Sequence, residues 1–212
     1  DTSLALAICL DQSGSMCGIQ REIAKAMMVL TEPVEGIGGK VMAFGFRDGQ
    51  HVNTPPGFDW KLYHRYEATR YDVFKTWGER FSTIKERYAS THATGGTPMA
   101  DGVQFGMTAL SDRTEAHRIL AVLTDGAPNS PHGQVIRGQI RQAKAVGIHV
   151  LGIGIGYGAE YVCDLFPDHV FVQNLADLPH SLILKLNEIC DFGGKYRGKR
   201  LKTDRRLSLK VT

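Results

Sequence analysis

No stretch of the chain approaches the roughly 20 apolar residues of a membrane-spanning helix, and no signal-type segment stands ahead of the first apolar run. The expectation is a cytoplasmic protein with no membrane role, and the opening almost inside a strand suggests a domain of a longer polypeptide. Cysteine is sparse. Cys9, Cys17, Cys163 and Cys190 lie far apart with no C-x-x-C pair, which favours a reduced intracellular protein over a disulfide scaffold. The eight histidines show neither H-x-x-x-H nor Cys/His ligand spacing, so zinc is not expected. No serine lies in a G-x-S-x-G elbow and no Walker A sequence is present, so neither hydrolase chemistry nor ATP hydrolysis by this chain is expected. A phosphatase using Asp11 as nucleophile would want a second acid at position 13, where Ser13 stands.

What is present is the composition of an ordinary globular domain: 212 residues, 42% hydrophobic and 22% charged, enough for one substantial core. The net charge of +3 conceals an asymmetry. Residues 193–212, after Gly193-Gly194, carry eight Lys/Arg against the single acid Asp204, whereas residues 1–192 are net −4. The expected division is a folded domain over 1–192 and a basic tail over 193–212, with nucleic acid reachable only through that tail.

Apolar runs recur at 4–10, 40–46, 118–124, 149–155 and 169–173, and their near-continuous hydrophobicity suits parallel strands covered on both faces. The alternating "KLYHRYE" at 61–67 reads as an antiparallel edge strand. Between the strands, Ile19, Ile23, Met27 and Leu30 mark a helix that Glu32-Pro33 should stop. Phe74, Trp77, Phe81, Ile84 and Tyr88 follow a 3,4,3,4 rhythm, which predicts a helix with a core-facing aromatic side in preference to base stacking. Thr97-Pro98 reads as the N-cap and first position of another helix, Ile136, Ile140 and Ala143 mark the next, and Leu182, Leu186 and Ile189 the last. The fold class is therefore α/β: three layers, a doubly wound and mostly parallel sheet of about six strands, and one antiparallel edge.

Chemistry concentrates where strands end. In "ICLDQSGSM", Asp11, Ser13 and Ser15 occupy alternate positions, so in extended chain they project to one side, and Gly14 allows a tight bend. "THATGGTPMAD" adds the hydroxyl of Thr97 on a loop expected to be mobile at Gly95-Gly96, and "ILAVLTDGAP" ends a strand in Asp125. In a doubly wound sheet such carboxyl ends gather ligands. Every donor is a hard oxygen, which suits Mg²⁺, Mn²⁺ or Ca²⁺. Each residue alone has a plainer reading as a helix cap. Asp101 reads as a charge complementing a helix dipole, and Gly154-x-Gly156-x-x-Ala159 as close helix–strand packing in preference to a dinucleotide turn.

A D-x-S-x-S after the first strand, a T-G-G-T-P-M-A-D loop and a later L-T-D-G strand end resemble the von Willebrand factor A (VWA) domain with its metal-ion-dependent adhesion site, over nearly all of residues 1–192. The resemblance implies metal coordination by Asp11, Ser13, Ser15, Thr97 and Asp125, with Mg²⁺ taking an Asp or Glu carboxylate of a protein partner. "LTDGAPNS" and "LGIGIGYGAEYV" further resemble the A domain of cobaltochelatase and magnesium-chelatase accessory subunits. That resemblance implies a non-catalytic adaptor for an AAA+ ATPase in a chelatase-like or remodelling complex. The alternatives are a non-catalytic subunit of a tetrapyrrole metal chelatase, and a nucleic-acid-associated protein using its tail. The segment from Arg47 to Asp59 matches no motif.

Overall fold

The computed structural model describes residues 3–51, 67–129 and 131–190, so the predicted tail and residues 61–66 of the predicted edge strand lie outside it. Strand β1 (Leu4–Asp11) is buried along its whole length. Leu4, Leu6, Ile8 and Leu10 enter one core layer, while Ala5, Ala7 and Cys9 enter the other, as the two-residue period of a strand requires. The continuous apolar run thus reflects burial on both faces.

After β1 come helix α1 (Gln20–Gly36), β2 (Lys40–His51), β3 (Glu67–Lys75), the short α2 (Phe81–Ile84) and α3 (Met99–Ser111). Strand β4 (His117–Thr124), α4 (His132–Ala145), β5 (Ile148–Ile155), α5 (Tyr161–Leu165), β6 (Asp168–Val172) and α6 (Leu178–Cys190) complete the series. The six strands form one sheet in the order β3-β2-β1-β4-β5-β6, with β2 and β3 antiparallel and every other pair parallel. Side chains of α1 and α6 share one core layer, and those of α3, α4 and α5 share the other, which is the predicted three-layer, doubly wound arrangement. From β1 the chain first steps to β2 and later returns on the other side as β4. The crevice above β1 and β4 is therefore the topological switch point, and Asp11 and Asp125 stand at its two lips.

Two local expectations differ from the structure. Helix α1 runs through Pro33 to Gly36; a proline this close to the end removes one hydrogen bond to the preceding turn, and the stop comes instead at Gly38, whose φ is 87°. The edge strand among the described residues is β3, antiparallel as expected; of the predicted 61–67 only Glu67 is described, and it opens this strand. Phe74 consequently belongs to a strand, and the 3,4,3,4 helix does not form. The Glu79 carboxylate accepts hydrogen bonds from Thr76 N–H (2.8 Å) and Thr76 Oγ (3.0 Å), bending the chain there, and only α2 and a 3₁₀ turn over Lys85–Ser90 follow. The aromatic residues still pack inward: Phe74 and Tyr88 meet edge to face at 6.4 Å, and Trp77 lies against the opposite core layer.

Lys75 is a fully buried cation that periodicity gave no reason to expect. Its Nζ pairs with Glu35 at 2.8 Å and donates to the carbonyls of Val41 (2.8 Å), Thr76 (3.2 Å) and Glu79 (2.6 Å), tying β3 to the end of α1. No helix among the described residues is long and apolar enough to cross a membrane. Cys9, Cys17, Cys163 and Cys190 are all free thiols.

Helix α3 lies very close to the sheet beneath the switch point. A Cβ on Gly102 would fall 2.5 Å from Cδ1 of Phe46, the residue paired with Asp11 across β1 and β2. Gly102→Ala is expected to destabilise the domain by about 1–2 kcal/mol in urea unfolding, the overpacking outweighing alanine's better helix propensity. An unchanged or higher midpoint would show that Phe46 moves aside freely.

Candidate functional site

Asp11 closes β1 and is 1% exposed. Its Oδ1 accepts the backbone N–H of Ser13 at 2.8 Å, and its Oδ2 accepts the hydroxyl of Thr124 at 2.7 Å. Ser13 Oγ and Ser15 Oγ lie 3.0 Å apart, and Ser15 Oγ donates to Asp125 Oδ1 at 2.8 Å. Since Ser15 has one hydroxyl proton and gives it to Asp125, Ser13 is the donor to Ser15. A polarised chain therefore runs Ser13 to Ser15 to Asp125, joining side chains 110 positions apart. Neither the 3₁₀ turn at Gly14–Met16 nor α1 has a side-chain cap, so Asp11, Ser13 and Ser15 are not engaged as helix caps.

Thr97 sits on the adjoining loop. That loop is stitched to the first by Gly14 N–H donating to Gly95 O (2.9 Å) and Thr94 N–H donating to Gln12 O (2.8 Å). The Thr97 amide donates to Asn129 Oδ1 at 2.9 Å, and its carbonyl accepts from Met99 N–H and Asn129 N–H. The predicted N-cap role does not hold, because α3 begins after Pro98 with no side-chain cap bond. Among the described residues, no hydrogen bond joins Thr97 Oγ to the other four side chains. The structure thus links Asp11, Ser13, Ser15 and Asp125 directly, and brings Thr97 alongside by its main chain.

Gly95 and Gly96 are sites of close approach in place of the expected mobility. Gly95 has a φ of 76°, and a Cβ on Gly96 would fall 2.7 Å from Asp48 Oδ2 and 3.0 Å from Asn129 Nδ2. The Gly96 amide donates to Asp48 Oδ2 at 2.5 Å. Asp101, in the first turn of α3, is buried and accepts from Thr69 Oγ (3.0 Å), so it ties α3 to β3 as well as complementing the helix dipole. Gly154 does pack closely, its Cβ position lying 2.7 Å from Ala159 O, in keeping with the packing reading of that turn.

Electrostatically the crevice is one-sided. Burial pushes the Asp11 carboxyl up to about 6, opposed by the hydrogen bonds it accepts from the Ser13 amide and the Thr124 hydroxyl, with a small further push from Asp125. Among the described residues no ion pair involves Asp11 or Asp125. Nor do the described residues contain a group of three His, Cys, Asp or Glu side chains able to hold a metal. The donor set is instead two carboxylates and hydroxyls, the oxygen chemistry of a hard divalent cation and not of zinc.

Sequence reasoning missed Thr124, Asn129 and Asp48. Thr124 and Asn129 lie beside or within "LTDGAPNS" and were legible only as neighbours of Asp125. Asp48 falls in the segment that matches no motif, because β2 continues through it to His51.

No family model and no curated protein matches the chain. Solved structures do. The SpRpn10 VWA domain aligns over 82% of this chain and 92% of its own, at 15% identity and a TM-score of 0.59. BatB from Bacteroides thetaiotaomicron aligns over 89% and 99%, at 14% identity and a TM-score of 0.61. Proximal thread matrix protein 1 from the mussel byssus aligns at 17% identity and a TM-score of 0.65, over 90% of this chain and 49% of its own. The pilus adhesin SpaC from Lactobacillus rhamnosus GG matches at 14% identity and a TM-score of 0.61; this chain spans only 30% of its length. Taken with the strand order, these similarities make the fold a VWA-like α/β fold.

The raised Asp11 value sets a pH dependence. A carboxyl that is harder to ionise folded than unfolded contributes stability at low pH that is lost as pH rises through its folded value. Without divalent cations, the domain should gain about 1 kcal/mol from Asp11 on going from pH 7 to pH 5. Asp11→Asn should remove that gain in denaturant titrations at the two pH values; an equal gain in the variant would assign it to other groups.

Proposed function

We propose that this domain is a metal-dependent protein-binding module, in which Asp11, Ser13, Ser15, Thr97 and Asp125 hold Mg²⁺ as a metal-ion-dependent adhesion site. The observation that carries this reading is the Ser13–Ser15–Asp125 chain beside a desolvated Asp11 at the switch point, with no cation paired to either acid among the described residues. Burying the Asp11 carboxylate close to a second acid, the half-buried Asp125, is unfavourable unless opposite charge compensates it. A bound divalent cation would supply that charge and, with few anionic protein ligands, would retain affinity for an outside carboxylate. Mn²⁺ or Ca²⁺ could serve the same donors.

This chain's residues have separable tasks in that reading. Thr124 and the Ser13 amide orient Asp11; Ser15 positions Asp125; Asn129 and Asp48 hold the Gly96-Thr97 backbone beside them. The partner contributes an Asp or Glu side chain. No bond is made or broken, so the role is binding and not catalysis. The finer reading rests on the "LTDGAPNS" and "LGIGIGYGAEYV" resemblance: the partner is an AAA+ ATPase, and the domain is its cytoplasmic adaptor in a chelatase-like or remodelling complex.

Mg²⁺ at about 100 times its dissociation constant should stabilise the domain by roughly 2.7 kcal/mol in thermal or denaturant unfolding. Asp125→Ala and Thr97→Ala should abolish or sharply reduce that shift while leaving the metal-free fold intact. A wild-type protein indifferent to Mg²⁺, Mn²⁺ and Ca²⁺ would contradict the proposal. For the finer reading, an AAA+ ATPase should co-purify with the domain in Mg²⁺ and be lost in EDTA; retention in EDTA would contradict it.

A further inference from the structure

Six large apolar side chains are markedly exposed among the described residues: Ile37, Val73, Val146, Tyr157, Ile183 and Leu184. Scattered singly, such residues are normal on a protein surface. Tyr157 differs in degree and in position. It is 86% exposed, and it stands in the loop after β5, on the same carboxyl edge of the sheet as the candidate metal site.

The loop that carries it is rigidly built. Gly156 and Gly158 flank the tyrosine with φ of 84° and 94°, conformations that glycine adopts readily and other residues rarely do. The Gly156 amide donates to Val172 O at 2.9 Å, and the Gly158 amide to Glu160 Oε2 at 2.9 Å. Ala159, next along, is buried. The main chain on both sides of Tyr157 is hydrogen-bonded, and the Tyr157 side chain is directed at solvent. The turn also abuts the metal lip: a Cβ on Gly158 would fall 3.7 Å from the carbonyl oxygen of Asp125. A tyrosine offers a large, stiff, amphipathic contact area at small entropic cost, which is why the residue recurs at the energetic centres of interfaces.

The local charge indicates what the ring would meet. Glu160, exposed and three positions on, has one carboxylate oxygen engaged with the Gly158 amide, the peptide group that follows Tyr157. An aromatic face beside an exposed carboxylate suits a cation, above all the planar guanidinium of arginine. We infer that Tyr157 and Glu160 form a second recognition subsite of the same surface, which takes a basic side chain of the partner flanking the carboxylate delivered to the metal. This inference rests on the metal-dependent reading above. In an extended partner segment, side chains two positions apart lie on one side of the strand about 7 Å from each other, so an acid and a base at that spacing can face one surface together.

The test uses fluorescent peptides with a Ser/Gly backbone, each bearing one Glu, with Arg, Leu or Ser two positions away. Binding is measured in Mg²⁺ to wild type, Tyr157→Ala, Tyr157→Phe and Glu160→Gln. The Arg peptide should bind wild type about fivefold more tightly than the Ser peptide, the effect of one exposed cation–π contact. Tyr157→Ala should erase that advantage, and Tyr157→Phe should retain most of it. The Ser peptide's affinity and the Mg²⁺-induced thermal shift should be the same in all four proteins. An Arg advantage that is missing in wild type or persists in Tyr157→Ala would overturn the subsite while leaving carboxylate capture in place. A Leu peptide equal to the Arg peptide would overturn its cationic character. Absence of Mg²⁺-dependent binding for every peptide would overturn both readings together.

Discussion

The interaction on which the site depends is the hydrogen-bonded chain Ser13–Ser15–Asp125, which closes the crevice between the first and fourth strands. It joins two stretches of sequence that the sheet brings together only because β1 and β4 are neighbours while the chain between them passes through β2 and β3. A doubly wound sheet has one place where the backbone leaves in opposite directions, and there alone two strand ends separate enough to admit a ligand. Asp11 and Asp125 occupy that place. The rest of the architecture supports it: the Leu and Ile face of β1 against α1, and the small Ala and Cys face that lets α3 approach through Gly102.

Charge gives the site its chemical character. Asp11 is desolvated enough that its carboxyl is pushed to about 6, and the groups that oppose the shift are neutral dipoles. Dipoles offset desolvation only in part, and in the proposed reading a hard cation would offset the remainder. The Lys75–Glu35 pair at the far end of the sheet shows the other solution, a cation supplied by the chain itself and saturated by three carbonyls. The buried Lys75 is paired within the chain, whereas no ion pair among the described residues involves Asp11, and the proposed metal site rests on that contrast.

Much of this was legible in the sequence, for identifiable reasons. Strands buried on both faces leave unbroken apolar runs, so β1, β2, β4, β5 and β6 could be placed within a few residues, and alternation of strand and helix implied the layered fold. Asp11 stood out because it follows an apolar run directly, Ser13 and Ser15 because they alternate with it, and Asp125 because it lies just past the end of another such run. Legibility failed where tertiary contacts overrode local pattern. The Phe74-to-Tyr88 rhythm imitated a helix, but Glu79 turned the chain and the same aromatics reached the core from a strand, a turn and a 3₁₀ segment. Pro33 looked like a helix stop, yet it lies within the last turn of α1. Gly95-Gly96 read as flexibility, although these residues are small because Asp48 and Asn129 press against them. Asp48 itself, with no motif around it, could be found only from the backbone amide it accepts.

The most direct measurement is anomalous X-ray scattering from crystals of the domain grown or soaked in manganese, compared with crystals treated with chelator. The account predicts one strong peak within coordination distance of Ser13 Oγ, Ser15 Oγ and an oxygen of Asp125, absent after chelation. Ordered manganese elsewhere with this crevice empty, or no ordered manganese at all, would contradict it.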